Sequence, residues 1–233
     1  MAEATSGNTG LALAMVANHE NIDMTIPISD KNPVEKRNGL KLAGANVVEI
    51  PHVKPPPGQR EGSMVAAAEF GSKDATWCNP NQYSNLANPA AHYHTTAPEI
   101  WKQTEGTITH FVTGTGTCGT ITGINRYFKE NNTGVKVVAA IPEDGHDVSG
   151  VRSREQLVHT RHFHEHEYDS VVEVENLEAY KATDLLNRKE CLQAGPTSGC
   201  NLAGAIKGVP DEEGNVIVIL CCDMITKYQS NMQ

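Results

Sequence analysis

Short apolar, β-rich runs alternate with helical stretches along this chain, which predicts an α/β protein with mostly parallel sheet. Three turns rich in glycine and hydroxyl side chains sharpen that reading. They are Thr5-Ser6-Gly7-Asn8-Thr9-Gly10, Thr113 to Thr120, and Gly195-Pro196-Thr197-Ser198-Gly199, and each runs straight into a helical stretch. A helix start presents unpaired N–H groups and the positive end of the helix dipole, so such turns suit a carboxylate or a phosphate. Three in one α/β chain predict a ligand with at least two anionic groups.

The elements follow in order. Leu11 to Ala17 reads as a helix, and Met24 to Ile28 as a strand in which Pro27 is a poor central hydrogen-bonding partner. Pro33 to Leu42 reads as a helix ended by Gly44, and Val47 to Ile50 as the next strand. Lys54-Pro55-Pro56-Pro57-Gly58 is a break, Ser63 to Phe70 a helix, and Thr76-Trp77-Cys78 a short strand leading into the polar loop Asn79 to Tyr83. One long helix is expected over His94 to Gln103. Ile108 to Val112 (strand), Gly119 to Glu130 (helix) and Val135 to Ile141 (strand) form a βαβ pattern. Gly145 to Asp169 reads as irregular and Glu173 to Glu178 as a solvated edge. Leu177 to Cys191 and Gly199 to Lys207 are helical, and Val216 to Cys222 is read as a buried strand. Residues near Leu86 to Ala91 mark the expected domain boundary, dividing the chain into 1–91 and 92–233.

Composition narrows the function classes. At 233 residues, 39% hydrophobic and 20% charged, the chain fits one large or two small globular domains. A formal net charge of −9 argues against nucleic acid as a partner, since neutralising phosphates needs a basic patch. No apolar run approaches the ~20 residues of a membrane span, and no secretory leader is visible. A cytoplasmic location is expected, with the six scattered cysteines as free thiols.

The turn Thr113 to Thr120 lies between a strand and a helix, where glycines let backbone approach a ligand closely. It is neither a Walker A motif nor a convincing dinucleotide fingerprint, and a tight strand-to-helix turn is the plain alternative. Hydroxyls at Thr197 and Ser198 have a plain reading too, as an N-cap. His159, His162, His164 and His166 have a spacing that could supply metal ligands. Their stretch is so polar and irregular that four solvated loop histidines, and no metal, is the reading adopted. Arg152 is left open between a substrate contact and a surface cap.

Several segments together carry a resemblance. Ala4 to Gly10, Asn79-Pro80-Asn81-Gln82, Asn88-Pro89-Ala90, Thr95 to Trp101, Gly114 to Gly123, Gly195 to Gly199 and the ending with Lys227-Tyr228 come in the order found in cysteine synthases. The chain resembles the cysteine synthase/cystathionine β-synthase family of pyridoxal phosphate enzymes, fold type II. The resemblance implies two three-layer α/β domains, a smaller substrate-side domain over 1–91 and a larger phosphate-binding domain over 92–233. It implies pyridoxal 5'-phosphate as cofactor, with Gly116, Thr117, Cys118, Gly119 and Thr120 on its phosphate. Asn8 would meet the ring hydroxyl and Thr197, or its neighbour Ser198, the pyridine nitrogen. Thr5, Ser6, Gly7, Thr9 and Gln82 would hold the α-carboxylate of a small amino-acid substrate. The implied reaction is β-replacement on an activated serine (O-acetylserine or O-phosphoserine) by sulfide, in cysteine biosynthesis. A hydroxyl, in place of a carboxylate, at the pyridine nitrogen leaves the cofactor a weaker electron sink, which suits β-elimination.

Two departures from the family pattern are evident. The family's Schiff-base lysine lies ahead of the Ser-Gly-Asn-Thr-Gly loop, and here only Met1 to Ala4 precede it. The chain therefore reads as N-terminally truncated, with no catalytic lysine and with the cofactor bound non-covalently at most. Lys31, Lys36 and Lys41 fall on or near a predicted surface helix and match no catalytic position. Cys118 stands where the family often has glycine, tolerable at negative φ and strained at positive φ. A homodimer, or a partner chain supplying the N-terminal segment, is expected. The competing function is a non-catalytic paralogue that binds cofactor or amino-acid anions, and a nucleotide-binding domain ranks below both.

Overall fold

A computed structural model of the chain describes residues 1–56 and 59–231; Pro57 and Gly58, part of the predicted break, lie outside the described residues. The chain divides into two compact units, Met1–Gln82 joined by the C-terminal segment Ile225–Asn231, and Tyr83–Met224.

In the first unit, helix α1 (Asn8–His19), strand β1 (Thr25–Ser29), helix α2 (Val34–Leu42), strand β2 (Asn46–Ile50) and helix α3 (Gly62–Gly71) follow one another. β1 and β2 are parallel, with Thr25 opposite Asn46 and Ser29 opposite Ile50. Ile26, Ile28, Ala14, Ala17, Met24 and Leu40 close the core between strands and helices. On its other edge β1 takes a parallel bridge from Ala2: Thr25 donates to the Met1 carbonyl (2.9 Å) and accepts from Glu3 N–H (3.2 Å). Successive residues of a strand bond to opposite sides, so Pro27, like Thr25, faces this edge. Its missing donor therefore costs the β1–β2 ladder nothing. α2 stops where Gly44 turns to φ +85°, and Ala45 N–H bonds back to the Leu40 carbonyl.

The second unit is a four-stranded parallel sheet in the order β5-β4-β3-β6, with β3 His110–Gly114, β4 Lys136–Pro142, β5 Ser170–Val174 and β6 Ile217–Ile219. Period-two alternation sorts its side chains. Phe111, Val137, Ala139 and Ile141 face helices α5 (Thr96–Gln103) and α6 (Gly119–Glu130), on which α4 (Ala87–His94) packs. Val112, Val138 and Ala140 face helices α8 (Asn176–Arg188) and α9 (Pro196–Gly208). The result is the parallel α/β sheet that the alternation predicted, in the three layers that the resemblance implied.

Five local expectations need correction. Thr76 to Cys78 is not a strand; Asp74 caps a turn there, accepting from the Thr76 N–H at 2.8 Å. The helix expected over 94–103 is two helices broken at Thr95 (φ −123°, ψ −72°), because Pro98 has no N–H to give the His94 carbonyl and its ring crowds that atom. Within the irregular stretch 145–169, Ser153 and Gln156 form a capping box that starts a short helix α7 (Arg154–Leu157). The "solvated edge" at 173–178 is the end of β5, followed by the capping box of Glu175 and Glu178 that opens α8. Finally β6 is a three-residue edge strand, half exposed, and Cys221 and Cys222 are exposed beyond it.

Close approach of α9 to its neighbours rests on small residues. A Cβ on Gly199 would stand 2.0 Å from Thr183 Oγ1 and 2.3 Å from the Ala179 carbonyl on α8. Gly199→Ala is expected to cost about 1–3 kcal/mol by overpacking. Gly39→Ala, inside α2 with open space around it, should instead add about 0.5–1 kcal/mol. Urea midpoints of the two variants check both signs.

Candidate functional site

The residues expected to hold anions are built into each unit by local geometry. In the first unit the Thr5 hydroxyl is buried and accepts from the N–H groups of Gly7 (3.1 Å) and Gly10 (3.3 Å), drawing residues 5–10 into a tight turn. Gly7 sits at φ +138° as the N-cap of α1, a conformation open to glycine. A Cβ on Gly10 would stand 2.4 Å from Thr5 Cγ2. No described residue accepts from Ser6 or Thr9 N–H, which leaves donors at a helix start. Gln82 reaches the same turn: its Nε2 donates to the Ala4 carbonyl at 2.6 Å and its N–H to Glu3 Oε2 at 3.2 Å. The structure thus gathers Thr5, Ser6, Gly7, Asn8, Thr9 and Gln82 in one place.

Three residues that sequence reasoning passed over support this turn. Glu3 is 1% exposed, and burial raises its carboxyl to about 7 against the hydrogen bonds from Gln82, Asn81 and Ala4 that oppose the shift. Lys36, expected on a surface helix, is only 6% exposed. Its Nζ donates to Tyr228 Oη at 2.7 Å and lies 4.1 Å from that ring's centre, and its stem fills the space beside Gly7. Lys227 donates to Asn8 Oδ1 at 2.8 Å. Lys227 stood in a motif of the family ending; Glu3 stood only among the residues ahead of the first turn, and Lys36 carried no signal beyond helical spacing.

In the second unit, β3 delivers the glycine-rich turn to the start of α6. The Gly114 N–H is held by the fully buried Asn201 at 2.6 Å, and Thr115 Oγ1 donates to the Arg152 carbonyl at 2.9 Å. Cys118 is the N-cap of α6 at φ +64°, the left-handed region, so the loop carries the strain that a non-glycine incurs there, about 1–2 kcal/mol. Burial pushes its thiol up to about 12, which removes it as a nucleophile near neutral pH. Among the described residues none accepts from the N–H groups of Gly116, Thr117, Cys118 or Thr120, while Gly119 N–H leans on Thr117 Oγ1 at 3.5 Å. Four such donors at a helix start fit a phosphate.

Neighbouring side chains fix that loop from outside. Asn88 Nδ2 donates to Thr117 Oγ1 at 3.0 Å, and a Cβ on Gly119 would collide with Asn88 Oδ1 at 1.9 Å. His92 bridges Thr120 Oγ1 (3.1 Å) and Thr96 Oγ1 (3.0 Å), and burial lowers its imidazole below the ordinary value, keeping it neutral. At the start of α9, Thr197 Oγ1 donates to the Ser149 carbonyl at 2.8 Å, and Ser198 Oγ, fully buried, accepts from Cys222 N–H at 3.1 Å. Arg152 lies 4.8 Å from the Tyr83 ring centre and donates to its hydroxyl at 3.0 Å. The four histidines are not uniformly solvated: His162 is 3% exposed, with its carbonyl accepting from Thr122 Oγ1 at 2.6 Å, whereas His164 and His166 are exposed. Among the described residues no group of three or more His, Cys, Asp or Glu is placed to hold a metal. No helix among them is long and apolar enough to cross a membrane.

Residues 1–223 match the family described as pyridoxal-phosphate dependent enzyme. The chain belongs to this family. It is 35% identical to cysteine synthase B of Pseudomonas aeruginosa over 232 residues, which cover 98% of this chain and 75% of that protein. Among solved structures it is similar to an O-ureido-L-serine synthase (TM-score 0.86, 29% identity, 99% of this chain and 74% of that one). It is equally similar to the O-acetylserine dependent cystathionine β-synthase from Helicobacter pylori (TM-score 0.86, 28% identity, 98% and 76%). Family membership makes the chain a pyridoxal-phosphate-dependent type, and the donor set at the start of α6 agrees with that cofactor's phosphate.

Two measurements test this geometry. With iodoacetamide near neutral pH, Cys78, Cys191 and Cys221 are expected to label readily, and buried Cys118 and Cys200 (both pushed up to about 12) to label only on unfolding; mass mapping reads the order. Glu3 has a folded pKa of about 7 against 4.5 for the free group, so folding favours its protonated form. Its contribution is therefore fully present below pH 4.5 and lost as pH rises through about 7. The stability of Glu3→Gln relative to wild type should climb by about 3 kcal/mol across that window. A difference that stays flat with pH in urea titrations would contradict the assignment.

Proposed function

We propose that this chain carries the cofactor- and substrate-binding parts of an enzyme of β-replacement. It would form cysteine from an activated serine (O-acetylserine or O-phosphoserine) and sulfide, in the cytoplasm. The observation that carries the reading is the set of N–H groups on Gly116, Thr117, Cys118 and Thr120 at the start of α6 that have no acceptor among the described residues, in a chain of this family. Relatives named cysteine synthase and a neighbour named for its dependence on O-acetylserine support the choice of reaction.

The phosphate is assigned to Gly116, Thr117, Cys118, Gly119 and Thr120, with the α6 dipole behind it. Thr197 is assigned to the pyridine nitrogen in preference to Ser198, whose oxygen is fully buried and already takes the Cys222 N–H. Because Thr197 spends its own proton on the Ser149 carbonyl, it faces that nitrogen without protonating it. In the first unit Asn8 is assigned to the ring hydroxyl. Thr5, Ser6, Gly7, Thr9 and Gln82 are assigned to the substrate carboxylate, Thr5 chiefly by shaping the turn whose free donors are Ser6 and Thr9 N–H. Bound pyridoxal phosphate supplies the electron sink that lets a β-leaving group depart. No lysine of this chain is assigned as the Schiff-base residue; a segment preceding Thr5, in this chain or from a partner chain, would bring it, and a homodimer is part of the proposal.

Titration of the chain with pyridoxal phosphate, followed by absorbance, tests the reading. Saturable binding that inorganic phosphate competes away is expected. Thr117→Val and Thr120→Val should each weaken it about tenfold, the worth of one good hydrogen bond to a charged group. Binding that is non-saturable, or indifferent to phosphate, would sink the assignment. Sulfide-dependent cysteine formation from O-acetylserine should then appear when the lysine-bearing segment is supplied in trans.

A further inference from the structure

The segment Ile225–Asn231 returns from the end of the chain to the first unit and is tied there at three nearly consecutive residues. Lys227 Nζ donates to Asn8 Oδ1 at 2.8 Å. Tyr228, 1% exposed, takes the Lys36 ammonium on its hydroxyl and ring. Ser230 donates from both its N–H (2.9 Å) and Oγ (2.8 Å) to the Glu35 carboxylate on α2. The same Lys36 stem lies against Gly7, 3.1 Å from where a Cβ would stand. The turn that opens α1 is therefore held by Lys227, 219 positions from Asn8 in sequence, and by Lys36, itself held by Tyr228.

The chemistry of the Lys227 tie has a direction. A carboxamide has one accepting and one donating end, and an ammonium can only donate. With its oxygen on Lys227, Asn8 has its nitrogen as the end that donates. We propose that Lys227 is a positioning residue: it sets the Asn8 amide so that the Nδ2 protons meet an anionic oxygen of the bound ligand. This rests on the reading of Asn8 as the partner of the cofactor's ring oxygen. It predicts selection for a ligand that carries an acceptor there, over one that carries only a phosphate.

The test compares Lys227→Met with Lys227→Arg, which restores a cationic donor. In the ligand-free chain, 15N spectra read the Asn8 side-chain amide, and hydrogen exchange reads the backbone of residues 8–12. Lys227→Met should move the Asn8 resonances and speed exchange roughly tenfold, and Lys227→Arg should return both toward wild type. With pyridoxal phosphate, Lys227→Met should weaken binding about tenfold and change the bound cofactor's spectrum. Its affinity for inorganic phosphate alone should stay at the wild-type value. Unchanged Asn8 resonances and exchange in Lys227→Met would overturn the proposal whatever the cofactor does. Equal loss of phosphate and cofactor binding would also overturn it, marking a structural role. Failure of the wild-type chain to bind pyridoxal phosphate would count against the proposed function, leaving the ligand-free comparison to decide the role of Lys227.

Discussion

One buried carboxamide holds the second unit's binding loop where it can act. Asn201, on α9 and fully buried, accepts from Gly114 N–H and donates to the Leu220 carbonyl at 2.8 Å. Gly114 ends β3 and Leu220 follows β6, so a single side chain joins the ends of two adjacent parallel strands to the helix behind them. In a parallel sheet these ends are where backbone pairing runs out, and a buried N–H or C=O left there would carry its full desolvation cost. Asn201 satisfies one of each, and Thr115 N–H still bonds the Ala140 carbonyl (3.2 Å), so the turn leaves the sheet only from Gly116 on, where the N–H groups have no acceptor among the described residues.

What that turn costs is visible at Cys118. Its left-handed backbone is the conformation that aims successive N–H groups into one concavity, and glycine would adopt it without strain. The side chain is nonetheless accommodated, because the thiol falls among Ile121, Leu157 and other core residues of the α6 face. Burial of the sulfur offsets part of the backbone strain and, by the same desolvation, makes the thiol inert. Geometry, not nucleophilicity, is the contribution of this residue.

The first unit meets the same need differently. Its turn is closed from within by Thr5 and from outside by chain segments that meet in the fold. Glu3 collects the backbone of residues 81 and 82, so the segment carrying Gln82 is moored to the stretch that leads into Thr5. Lys36 and Lys227 supply positive charge beside the opening of α1, adding to the dipole where a negatively charged ligand is proposed to bind. For Lys36, buried against the Tyr228 ring, the hydroxyl and the ring face are partners that replace part of the ammonium's water.

Local sequence was enough to place the three helix-opening turns, α1, α2, α6, α8 and α9, and the strands β1 to β4. Each is announced by periodicity, glycine, proline or a hydroxyl cap, signals that act within a few residues. The same kind of signal was misread where two local rules competed, as at Thr95, where helix-forming residues surround a Pro98 that forbids continuation. Other features have no local signature at all. β5 is a strand because β4 offers it a partner, β6 is half exposed because it lies at a sheet edge, and His162 and Lys36 are buried by what packs against them. Residue type and spacing by themselves determined which backbone stretches could present donors to an anion, since that follows from φ, ψ and helix polarity. Only the tertiary structure decided which side chains hold those stretches in place, because Glu3 with Gln82, Asn88 with Thr117, and Lys227 with Asn8 meet through space, and burial and hydrogen bonding between distant segments are properties of the fold.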